Sequence, residues 1–150
     1  MGLDMYLYAQ KFVSNSPPFK EGSRHEEIVD ALDAKSFAKG HIVTQMEVAY
    51  WRKANAIHNW FVGSEEEDNC EPVHVPRESL VRLRDVCKEL LTDKNPDKAE
   101  ELLPPMGGFF FGSTDIDEWY WENVQETATL LDNILTEVPE DWSFEYQASW

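Results

Sequence analysis

The sequence predicts an α+β domain: one small sheet that includes both terminal strands, with about four to five helices packed against it. Three observations carry this. Both ends of the chain alternate apolar and polar residues with the two-residue period of a half-buried strand. The interior holds several stretches with the period of an amphipathic helix. A length of 150 residues, 42% hydrophobic and 13% aromatic, suffices for one buried core without a metal or disulfide staple. Residues 1–150 read as a single domain, with no internal repeat.

In order along the chain, Leu3, Met5 and Leu7 alternate with Asp4, Tyr6 and Tyr8, which predicts the first strand. Two prolines among polar residues make 14–22 a loop. Ser23 and Glu26 have capping-box spacing ahead of Ile28, Val29, Ala31 and Leu32, so a short helix is expected, ending near Gly40. Thr44 and Glu47 form a second capping box, and a central helix is expected from there to about Val62, before Gly63. On a helical wheel its Met46, Tyr50, Ala54, Ile57 and Phe61 share one face.

Val73-His74-Val75 suits a short strand, and Pro76 suits the first turn of the helix that follows. That helix has an apolar stripe of Leu80, Leu83, Cys87, Leu90 and Leu91. Asn95-Pro96 caps a short helix with Ala99, Leu102 and Leu103, and Pro104-Pro105 stops it. The glycine-bracketed run from Gly107 to Gly112 is too short for a helix and reads as a buried strand. Thr114 is expected to cap the last helix, with Asp115, Asp117 and Glu118 at its positive end. Its stripe is Ile116, Tyr120, Val124, Leu131, Ile134 and Leu135, and Pro139 ends it. Trp142, Phe144, Tyr146, Ala148 and Trp150 then alternate with Ser143, Glu145, Gln147 and Ser149, a closing strand with an aromatic face.

The formal net charge is −16. Such a surface repels phosphate backbones and anionic lipid, so no direct nucleic-acid binding and no membrane binding are expected. No apolar run reaches transmembrane length. Met1-Gly2-Leu3-Asp4 lacks the basic start of a signal peptide, and Tyr6 spoils the myristoylation pattern. With only two cysteines, a cytoplasmic, reducing location is expected. The charge is uneven. After Lys98 there is no Lys or Arg, yet 99–150 hold twelve Asp and Glu, three quarters of the net charge. A second acidic run is Glu65-Glu66-Glu67-Asp68. Glu118, Glu122 and Glu126 form a ladder of like charges, each pair costing about 0.2–0.5 kcal/mol in a helix. An acidic face of this kind suits a basic protein partner.

The central helix offers another candidate site. Glu47, Trp51, Asn55 and His58 cluster on one side of it, and Lys53 falls inside the apolar sector. A lysine there can act as a base or hold an anion, with Arg52, Asn55 and His58 beside it and Trp51 to stack a ring. Trp51, Arg52, Lys53, Asn55 and His58 are therefore the candidate ligand-binding residues, for a nucleotide-like anion. Cys70-Glu71-Pro72-Val73-His74, with Cys87, is the nearest approach to a metal site, but no paired CxxC or HExxH occurs. No metal and no cofactor are expected. Neither a P-loop nor an assignable catalytic triad is present.

Four blocks give the chain a family likeness: Met1-Gly2-Leu3-Asp4-Met5-Tyr6-Leu7, the run from Glu47 to Val62, Gly108-Phe109-Phe110-Phe111-Gly112, and Tyr146-Gln147-Ala148-Ser149-Trp150. On these the chain resembles a family of small uncharacterised proteins encoded by bacteriophages and bacteria. The resemblance implies a phage or bacterial cytosolic origin and no particular mechanism. Two function classes follow. One is an accessory protein that binds a host or defence protein through its acidic face. The other is a small-molecule binding protein, or small enzyme, using the central helix from Glu47 to His58.

Overall fold

The computed structural model describes residues 2–63 and 70–150. The acidic run at 65–68 lies outside the described residues. Four strands form one antiparallel sheet: β1 (Asp4–Val13), β2 (Ile42–Arg52), β3 (Val73–Val75) and β4 (Ser143–Ser149), in the order β2-β1-β4-β3. Five helices are formed among the described residues: α1 (His25–Ala31), α2 (Asn55–Val62), α3 (Arg77–Asp93), α4 (Pro96–Leu102) and α5 (Glu118–Glu137). The two terminal strands pair directly, with Leu7 opposite Tyr146 and Met5 opposite Ala148. The α+β class and the shared sheet are as the end-to-end alternation predicts.

The period-two pattern sorts the faces. Leu3, Met5, Leu7 and Ala9 from the β1 side, Ala49 and Trp51 from β2, Val75 from β3, and Phe144, Tyr146 and Ala148 from β4 are all buried. They join one core with Ile57 and Phe61 of α2, the Leu80–Leu90 stripe of α3, and Tyr120, Val124, Ala128, Leu131 and Ile134 of α5. The opposite sheet face carries Tyr6, Tyr8, Glu47, Tyr50 and Glu145, none of them buried. No helix of the described residues is long and apolar enough to cross a membrane.

Local chemistry sets the helix ends. Asn95 accepts from the backbone N–H of Asp97 and of Lys98 at the start of α4. Lys94 closes α3 in the left-handed region, with φ of 48°.

Four expectations are corrected. The central helix from Thr44 to Val62 is a strand, a turn and a helix. β2 runs to Arg52, Lys53 turns the chain with φ of 54°, and α2 starts at Asn55. Thr44 and Glu47 therefore make no capping box; they pair with Lys11 and Tyr8 of β1. The first helix stops at Ala31, well short of Gly40, where Asp33 turns with φ of 53°. The run from Gly107 to Gly112 is not a strand but a turn: Phe111 N–H donates to Gly108 O, Phe111 is buried and Phe109 is 95% exposed. A Cβ on Gly108 would meet the Phe111 ring at 2.5 Å, so only glycine fits that approach. Last, Asp117 rather than Thr114 caps α5, its Oδ1 accepting from Tyr120 N–H.

Cys87 sits in the core of α3 with no exposed surface, and burial pushes its thiol up to about 12. Cys70 is only half-buried. At neutral pH a thiol reagent should modify Cys70 quickly and reach Cys87 only on unfolding; rapid loss of both thiols in the native protein would contradict this packing. The same burial has a pH consequence. An unfolded thiol ionises near 9.0 while the folded one resists to about 12, so stability falls as pH rises above 9.0.

Candidate functional site

The five candidate residues near Lys53 do not gather at one open surface. Trp51 points into the core, where its Nε1–H donates to Thr127 Oγ1 of α5 at 3.0 Å. Arg52 lies on the opposite sheet face. It pairs with Asp4 at 2.9 Å, and Tyr50 donates its hydroxyl to the same carboxylate at 2.5 Å. That bond to Asp4 pushes the Tyr50 hydroxyl above its ordinary pKa. His58 is fully buried, its Nδ1 2.6 Å from Tyr146 Oη, with the rings of Phe111 and Trp150 edge-on to it.

Asn55 is a clamp. Its Nδ2 donates to Phe111 O at 3.1 Å and to Ser113 O at 2.8 Å, while its Oδ1 accepts from Met106 N–H at 3.3 Å. It thus pins the 106–113 segment to the start of α2. Lys53 is exposed, its stem lying against Gly2 and Gly112. Lys53 and Asn55 do border one indentation, with Ser113, Asp115, Trp119 and Asn123. It encloses about 20 Å³, the room of a single water, and Asp115 sets a carboxylate beside it. Neither feature suits a nucleotide-sized anion. Among the described residues no group of three or more His, Cys, Asp or Glu is placed to hold a metal ion.

The other candidates do come together. Glu118, Glu122 and Glu126 line one open groove of about 650 Å³ on the outer side of α5. Lys94, Ile116, Asp117, Trp121 and Gln125 share its walls. All three glutamates are exposed. Other acids of the acidic third are neutralised in place: Asp132 by Lys88 at 2.7 Å and Asp141 by Lys11. Among the described residues, Glu118, Glu122 and Glu126 have no ion-pair partner. Trp121 is half-buried and adds an aromatic surface among the charges. Sequence reasoning missed Trp121 and Ile116. The signal was present, since Trp121 stands three residues after Glu118 and therefore on the same helix face.

A second, more apolar cavity of about 730 Å³ opens between the far end of β1 and β2 and the start of α1. Phe12, Phe19, Met46 and Trp142 line it. Lys11 lies over the Trp142 ring at 5.9 Å while it pairs with Asp141. In comparisons with protein-family models, curated proteins and solved structures, nothing matches this chain.

Proposed function

We propose that the chain is a binding protein that captures a basic partner in the α5 groove. In keeping with the family resemblance, the reading is of a phage or bacterial accessory protein that engages a host or defence protein in the bacterial cytosol. One observation carries the binding role. Three carboxylates without ion-pair partners among the described residues share a groove with Trp121, in a third of the chain that has no Lys or Arg. Like charges at i,i+4 cost about 0.2–0.5 kcal/mol per pair. A Lys or Arg from a partner removes that cost, and Trp121 gives its alkyl stem or guanidinium plane a surface to lie on.

The test replaces Glu118, Glu122 and Glu126 together with Gln. Capture of a basic protein from bacterial lysate should fall by about tenfold or more, and the wild-type complex should weaken as salt rises. The triple variant should melt at the wild-type temperature or slightly above it, because the helix loses its repulsion. The same proteins captured with equal strength by both forms would leave the groove as solvated surface and sink the proposal.

A further inference from the structure

Among the described residues β2 is an edge of the sheet, bonded to β1 alone. Its free side follows from the ladder. Lys53 N–H donates to Leu3 O at 2.8 Å and Thr44 Oγ1 to Lys11 O at 3.3 Å, whereas Ser143 Oγ donates to Gln10 O at 3.5 Å. Odd residues of β1 thus turn their backbone groups toward β2, and even residues toward β4. Their partners Ile42, Thr44 and Met46 bond inward. Val43, Gln45 and Glu47 direct their N–H and C=O groups to the open edge.

Among the described residues the edge is open over 42–47. β2 has eleven residues with no Pro and no Lys, the usual protections of an exposed edge. The shift in register at Val48 bends it but leaves 42–47 regular. Gln45, Met46 and Glu47 are exposed in succession, so neither face of the strand is covered there. Val43 is 52% and Met46 57% exposed. Charge distinguishes the possible occupants. In a chain of −16, the charges of β2 are Glu47 and Arg52, which cancel. A basic partner gains nothing here beyond what the acidic third already offers. Two copies of an anionic protein meet with least repulsion along a neutral segment.

We propose that β2 is a self-association edge, where two copies pair antiparallel about a twofold axis at Gln45 and double the four-stranded sheet. The register is self-complementary. Gln45 faces the second copy's Gln45, and Val43 faces its Glu47, a ladder of about six backbone hydrogen bonds. No glutamate opposes a glutamate. On the core-side face Met46 lies opposite the second copy's Thr44. Both residues line the apolar cavity, so the added strand covers its β2 wall.

Sedimentation velocity over a concentration series tests this. Wild type should move from 17.4 kDa toward twice that mass. Added salt should strengthen the association by screening like-charged copies, the opposite of its effect on capture by the α5 groove, so the two proposals fail separately. Gln45→Pro removes an edge N–H and the exposed side-chain bond from Gln10 Nε2 while leaving the backbone bonds to β1 in place, and Met46→Lys places an ammonium beside the second copy's Thr44. Each should raise the dimer dissociation constant by about tenfold or more, with an unchanged circular dichroism spectrum. Should Gln45→Pro fail to fold, Met46→Lys decides alone. A wild type that stays at 17.4 kDa at every concentration and salt overturns the proposal. So does a dimer indifferent to both substitutions, or an edge that takes a strand from another protein only.

Discussion

Asn55→Asp should cost the fold about 3–5 kcal/mol at neutral pH, a large share of the 5–15 kcal/mol that holds a typical domain together. The side chain keeps its shape and loses its donors. The bonds to Phe111 O and Ser113 O vanish, and a carboxylate oxygen is set against both carbonyls at a position only 6% exposed. Each carbonyl left without a donor costs about 1–3 kcal/mol, and burying the unpaired charge adds to it. The sign with pH follows from linkage. Facing two acceptors, the introduced carboxyl has a folded pKa raised above its unfolded value of about 3.9. Its penalty is smallest below about pH 4, where the protonated group donates one bond again, and grows as pH rises through the folded pKa. Asn55→Ala should lose about 2–4 kcal/mol without this pH dependence. Melting curves of the three proteins at acid and neutral pH check it. A neutral-pH melting temperature for Asn55→Asp within about two degrees of wild type would show that the clamp does not hold the 106–113 segment.

The elements that the sequence made legible are those with an undisturbed period. β1 and β4 alternate cleanly, and α3, α4 and α5 carry unbroken stripes and recognisable ends such as Asn95-Pro96 and Pro139. The strand in the middle reads as a helix for a physical reason. Its regular alternation puts Ile42, Thr44 and Met46 on the core side, but the extra residue at Val48 moves the phase by one, so the next inward residues are Ala49 and Trp51. A step of three, from Met46 to Ala49, imitates a helical period. What argued for a strand was residue type: Ile42-Val43-Thr44 and Tyr50-Trp51 are β-branched and aromatic, and fit a pleated surface better than a helix. The turn at Lys53 gave no warning, because a lysine stands where a glycine would have announced φ of 54°.

The same misreading governs the candidate site. Trp51, Arg52, Lys53, Asn55 and His58 looked adjacent only on one helix. Spread over a strand, a turn and a helix, they face the core, the open sheet surface, solvent, the 106–113 segment and the aromatic interior in turn. The glutamate ladder stayed together because α5 is a helix, and its i,i+4 spacing keeps its meaning there. Its groove was less visible, since it depends on Ile116 before the helix and on Lys94 from the end of α3.

Thr127→Val should destabilise the chain by about 1–3 kcal/mol although it adds no volume and leaves the helix intact. Thr127 has no exposed surface, and its Oγ1 accepts the indole N–H of Trp51, itself 2% exposed. Valine is nearly isosteric, so the cost is that of a buried donor left without an acceptor. Trp51→Ala should be worse, about 3–5 kcal/mol, because it opens a cavity between β2 and α5 and removes the ring that packs against Phe61. The cycle with Trp51→Phe separates the two contributions. Phenylalanine has no N–H, so in its presence Thr127→Val should cost little, and the coupling between the sites should be about 1 kcal/mol or more. Urea unfolding of the four proteins measures it. If Thr127→Val costs the same with Trp51 as with phenylalanine there, the bond adds nothing to the joint between sheet and α5, and apolar packing alone holds that joint.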